Sequence, residues 1–68
     1  MDEIKFEDLP TDGTRFLTTW QKDGENWSHT ATYKDSIMKS WCSADQGFFS
    51  FEFTDDVTNI RYWSFPNN

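Results

Sequence analysis

Gly47-Phe48-Phe49-Ser50-Phe51-Glu52-Phe53 is the stretch that decides the fold class. At a period of two residues, Phe49, Phe51 and Phe53 share one face, and Ser50 and Glu52 share the other. A helix would scatter the three rings around its girth. Asp45-Gln46-Gly47 and Asp55-Asp56, both rich in turn formers, bound the run. The spacing therefore predicts that Phe48 to Phe53 is the central strand of a small sheet, with its three-ring face turned inward.

The segments on either side repeat this pattern. Arg15 to Trp20 alternates Phe16, Thr18 and Trp20 with Arg15, Leu17 and Thr19, and its β-branched and aromatic content favours a strand. Lys22-Asp23-Gly24 signals a hairpin turn. Trp27, His29, Ala31 and Tyr33 then line one face of a return strand, with Ser28, Thr30 and Thr32 on the other. Lys34-Asp35 makes the next turn. Ile37 to Ser43 reads as a strand, with one or two helical turns near residues 35–42 as the alternative, because Ile37, Met38, Trp41 and Cys42 also suit a helix face. Asn59 to Phe65 is the last strand, stopped by Pro66. At the other end Ile4 and Phe6 share one face of a short extended arm, and Leu9-Pro10-Thr11-Asp12-Gly13 is a turn. The expected fold is all-β: one domain, residues 1–68, with about five antiparallel strands curled into an SH3-like barrel or half-barrel.

Size limits how such a sheet is held together. An 8.1 kDa chain should expose about 4,500 Å² when folded, having buried about 60% of its extended surface, near the lower limit for independent folding. Cys42 is the only cysteine, so no internal disulfide forms, and His29 and Cys42 are too few for a structural zinc site. Seven Phe, four Trp and two Tyr stand in for those staples. Half the positions of five short strands give roughly 13–15 interior sites, fewer than the apolar residues present. The surplus falls on the rim or forms a contact patch.

The formal charge of −6, with a pI near 4.4, sets the domain against nucleic acid and anionic membrane and towards cationic protein surfaces. Met1-Asp2-Glu3 opens no export signal, and no apolar run is long enough to span a bilayer. With a lone thiol, this predicts a cytoplasmic setting.

Two stretches resemble a family of short phage and prophage proteins of unknown function. Leu9-Pro10-Thr11-Asp12-Gly13, followed by Phe16-Leu17, is similar to that family's Leu-Pro-x-acid-Gly opening. Ile60-Arg61-Tyr62-Trp63-Ser64-Phe65-Pro66 is similar to its (Ile/Val)-Thr-His-Trp-Met-Pro-Leu-Pro close, and Ala31-x-Tyr33 and Trp41 fit its middle. Tyr62 stands at the family's His position, one residue is missing between Trp63 and Phe65, and the usual leading Trp is absent. The resemblance implies a bacteriophage gene product acting in the cytoplasm of a bacterial host. It brings no catalytic residues.

No residue set announces chemistry. His29 lacks a visible orienting partner, and nothing in the spacing brings Cys42 to it. Val57 interrupts any calcium loop at Asp55-Asp56. The three glycines sit in separate turns and form no phosphate loop. Asn26-Trp27-Ser28 matches the glycosylation sequon, without an export signal to give it meaning. No enzyme activity, cofactor or metal is expected. Exposed Trp could stack nucleobases, but the six basic residues do not suggest the groove that such binders use. Trp, Tyr and Arg also dominate interface hot spots.

The expectation is a non-enzymatic acidic binding protein that occludes a bacterial host protein through a basic surface, as an inhibitor or anti-defence factor. The candidate partner-binding residues are Asp12, Asp23, Glu25, Asp45, Asp55 and Asp56, all in turns, with Trp20, Trp27 and Trp63 as aromatic anchors. Two alternatives stay open. One is a sponge for a signalling nucleotide, with Arg15, Arg61 or Lys39 on phosphate. The other is a self-associating accessory protein, including a homodimer.

Overall fold

Two tight turns set the register of the sheet. In a computed structural model that describes residues 1–66, Asp23 and Gly24 have φ of 53° and 76°, and Asp35 and Ser36 have φ of 54° and 62°. Positive φ at both central residues is the type I′ pattern, whose twist matches that of the flanking strands. The first turn joins β2 (Phe16–Lys22) to β3 (Glu25–Lys34), and the second joins β3 to β4 (Ile37–Cys42). A four-residue connection then leads to β5 (Gly47–Ser50). With β1 (Glu3–Ile4) and β6 (Thr58–Ser64), the described residues form one antiparallel sheet in the order β1-β6-β2-β3-β4-β5. The only helical element among them is a 3-10 turn, Phe6–Asp8.

The protein is thus all-β, as its period-two pattern predicts, with six strands where five were expected. Residues 37–42 are a strand, so the helical alternative there is excluded. The sixth strand is the N-terminal arm, which pairs with β6 through Glu3↔Trp63 and Ile4↔Tyr62.

The sheet curls but does not close, since β1 and β5 remain unpaired with each other. Its coil is reinforced by a bulge where β2 meets β6. The register shifts between Thr19 and Gln21, and Asn59 takes φ of 54° on the bulged strand. Phe16, Thr18, Ala31 and Tyr62 line the concave face. Leu9, Phe16 and Ala31 are its buried apolar centre, with Ile4, Tyr33, Met38, Phe51 and Tyr62 packed around them. Phe6, carried on the 3-10 turn, closes over Tyr33 and Tyr62 at centroid distances of 5.5 and 6.0 Å. Burial raises the pKa of the Tyr62 phenol, and the neighbouring Tyr33 phenol adds to the effect.

The phenylalanine stretch departs from expectation. It is not a central strand: only Gly47–Ser50 belongs to the sheet, and that segment is the outermost strand. From Phe51 the chain leaves β5 and crosses back to β6 on the far side of β2. Phe51 reaches the core, and Phe53 stands edge-on to Trp20 at 5.2 Å. Phe51 and Phe53 therefore face inward as expected, both half-buried, whereas Phe49 is 48% exposed. Alternation fixes which side chains share a face, but not whether a neighbouring strand lies beyond.

Candidate functional site

The antiparallel register decides where the acidic turns lie. β2 ends, β3 begins and β6 begins at one end of the sheet, because Lys22 pairs with Glu25 and Gln21 with Thr58, and β4 runs towards that end, its pairing of Ser40 with Ala31 bringing Cys42 level with His29. Asp23 is on the β2–β3 turn, Asp45 is on the β4–β5 turn, and Asp55 and Asp56 precede β6; Glu25, expected in a turn, instead begins β3, where it pairs with Lys22. These five carboxylates share that end. Asp12 does not join them: it bridges Lys34 at the opposite end of β3. Asp12 instead holds its own loop, accepting from the Thr14 backbone N–H at 3.0 Å and from Thr14 Oγ1 at 2.6 Å. The hydroxyl first, and then the N–H, hold its carboxyl below the usual range.

Within the acidic end, one carboxylate has a cation beside it. Lys22 Nζ lies 3.5 Å from Asp56. The Thr54 hydroxyl also donates to Asp56 and is the larger cause of its lowered pKa, ahead of Lys22. The Cys42 thiol donates to Asp45 Oδ2 at 3.6 Å. Asp23, Glu25 and Asp55 are exposed.

The three tryptophans fare differently. Trp20 and Trp27 are directly opposed across β2 and β3. Trp20 is packed between the His29 imidazole, parallel to it at 5.3 Å, and the edge of Phe53. Trp27 is 45% exposed beside the acidic turn. Trp63 lies on the convex face, where its indole N–H donates to Thr19 Oγ1 at 3.0 Å and the Arg61 guanidinium covers its ring at 4.8 Å. Arg61 in turn holds Glu3 in a fork, Nε at 3.0 Å and Nη2 at 2.6 Å. That hydrogen-bonded fork raises the pKa of Arg61 and lowers that of Glu3. Trp20 and Trp63 thus contribute to packing, and Trp27 is the one of these three indoles that remains presented to solvent.

An amide ladder borders the same end on the convex face. Asn59 donates to Gln21, and Gln21 Nε2 donates to Asn26 Oδ1 at 3.0 Å, spanning β6, β2 and β3. With Thr19, Ser28, Arg61 and Trp63 these amides line an open groove of about 680 Å³. His29 and Cys42 both border a second cleft, yet no hydrogen bond joins them. Among the described residues no three His, Cys, Asp or Glu side chains converge as a metal site, and no helix is long and apolar enough to cross a membrane.

Sequence reading expected surplus apolar groups outside the core but did not single out which, and the register puts Ile37 and Trp41 on the convex face and Phe49 on the concave face. Ile37, Trp41 and Phe49 are 47%, 38% and 48% exposed. They lie on β4 and β5, the two strands furthest from β6, where alternation alone gives no sign of exposure. Searches against family models, characterised proteins and solved structures find no match to this chain.

Proposed function

We propose that this protein is a non-enzymatic, phage-type binding module that occludes a basic surface of a bacterial host protein. The observation that carries the reading is the gathering of Asp23, Glu25, Asp45, Asp55 and Asp56 at one end of the sheet, next to exposed Trp27. Carboxylates on short turns steer a partner by charge, and a neighbouring indole supplies desolvated contact area. A standard interface takes ~800 Å² from each partner. That is under a fifth of the 5180 Å² surface here, so occlusion needs no second domain.

The test is affinity capture from bacterial lysate with the intact chain and with a Asp23→Asn, Glu25→Gln, Asp55→Asn variant. The expected result is a protein retained at low salt by the first, released at high salt and not retained by the variant. Equal retention by both, or none by either, would overturn the reading.

A second reading has one observation in its favour. Arg15, Lys34 and Lys39 border a cleft of about 300 Å³ with Phe48, and the Arg15 guanidinium lies 5.3 Å from that ring. Cations beside a ring suit a small anionic aromatic ligand such as a nucleotide. A thermal-shift panel of nucleotides against wild type and Arg15→Gln tests it. A flat panel rejects it.

A further inference from the structure

The outer edge of β5 is unpaired among the described residues, and its shortness, four residues, is the one usual protection it has. Edge strands are normally blunted by a lysine, a proline, a bulge or a covering segment. Gly47-Phe48-Phe49-Ser50 carries no charge and no proline, and it pairs on one side only. The opposite edge, β1, is two residues long and has the Glu3–Arg61 ion pair over it.

The hydrogen-bond phase of this edge can be read from its last bond. Phe51 N–H donates to the Met38 carbonyl at 3.1 Å. Bonded and non-bonded pairs alternate along an antiparallel ladder. Phe49 and Gly47 therefore exchange bonds with Ser40 and Cys42, while the N–H and C=O of Phe48 and Ser50 point away from β4. Phe49 stands between those two outward-facing residues, on the same face as Gly47. The Phe49 ring lies over Gly47, 3.6 Å from where a Cβ there would stand, which is ordinary van der Waals contact.

We infer that β5 pairs with β5 of a second copy of this chain, antiparallel, about a twofold axis through Phe49. In that register Phe48 and Ser50 of one protomer exchange backbone hydrogen bonds with Ser50 and Phe48 of its partner. The two Phe49 side chains meet at the axis in a non-bonded pair, where Cα atoms are ~4.5 Å apart. Further out, Gln46 faces Glu52, so no like charges are opposed along the ladder. The contact is isologous, closing at two copies instead of growing into a fibre. The chain exposes 5180 Å², roughly 700 Å² more than expected for an 8.1 kDa monomer, so surface is left over from which such a contact can be drawn.

The register makes the test specific. In a Cys42→Ser background, Phe49→Cys places two thiols within the ~4.4–6.8 Å Cα range that a disulfide accepts. Ser50→Cys places them ~8 Å apart, displaced by two residues along the strand. Mild oxidation is expected to link Phe49→Cys into a species of twice 8.1 kDa and to leave Ser50→Cys unlinked. Wild type is expected to sediment as a dimer at micromolar concentration, with the Phe48 and Ser50 amides exchanging ~10-fold more slowly than in Phe49→Lys. Phe49→Lys should be a folded monomer, confirmed by an unchanged circular dichroism spectrum. A wild-type monomer overturns the inference. So does a dimer in which Ser50→Cys links as fast as Phe49→Cys, or in which the Phe48 and Ser50 amides stay unprotected. Host-protein capture reads different residues, so either result can fail without the other.

Discussion

Thr18 on β2 is directly opposed to Tyr62 on β6, and the Thr18 hydroxyl, fully buried beside it, has no hydrogen-bond partner among the described residues. A buried orphan hydroxyl costs ~1–3 kcal/mol. Thr18→Val keeps the branched shape and removes the hydroxyl. It is expected to raise stability by about 1 kcal/mol in urea denaturation, whereas Thr18→Ala leaves a void and lowers it.

Phe16 is the largest fully buried apolar side chain among the described residues, and it meets Tyr62 edge-on at 5.8 Å. Truncating a buried Phe costs ~3–5 kcal/mol. A domain of this size rarely has more than ~3–5 kcal/mol in total. Phe16→Ala is therefore expected to be unfolded at 25 °C by circular dichroism. Phe49→Ala, at an exposed position, is expected to stay folded.

The two type I′ turns differ at their second central residue. Gly24 takes positive φ without strain, while Ser36 at φ of 62° holds a conformation costing ~1–2 kcal/mol for a residue with a Cβ. Ser36→Gly is expected to raise the thermal midpoint, with a net gain of about 0.5–1 kcal/mol after the entropy lost by glycine. Gly24→Ala is expected to lower it, although a Cβ there meets nothing within 4 Å. Here backbone conformation alone decides the outcome.

Three carboxyls, Glu3, Asp12 and Asp56, titrate below their ordinary range because Arg61, Thr14 and Thr54 respectively donate to their charged forms. A carboxyl whose folded pKa is depressed contributes stability above its unfolded value, near ~4, and loses it as pH falls through the lower folded value. Asp12→Asn is thus expected to be less stable than wild type at pH 7. The gap between their urea midpoints should narrow below about pH 4. A gap that stays constant down to pH 2 would place the effect of Asp12 in something other than its charge.

The turns were the most legible part of the candidate site. Asp23-Gly24, Asp35, Asp45-Gln46 and Asp55-Asp56 all lie in turns or bends, because φ restrictions and side-chain chemistry act within a few residues. Their grouping was not legible. Asp12 reads like the other acids in one dimension, yet pairing with Lys34 puts it at the far end. The same holds for the indoles: Trp20 and Trp27 look alike in their strands, and the His29 stack with the crossing of Phe53 packs one and leaves the other presented.

Period-two alternation was enough, by itself, to determine an all-β chain and to assign Phe16, Thr18, Ala31 and Tyr33 to common faces, since a strand's side-chain directions depend on nothing beyond the strand. The position of each strand in the sheet was decided only by tertiary structure. Gly47–Ser50 became the edge and Thr58–Ser64 the interior because the chain crosses the concave face after Ser50 and inserts beside β2. That choice sums long-range burial over many residues, and no local window carries it. It is also what leaves the Phe49 ring in water with an unpaired backbone beside it.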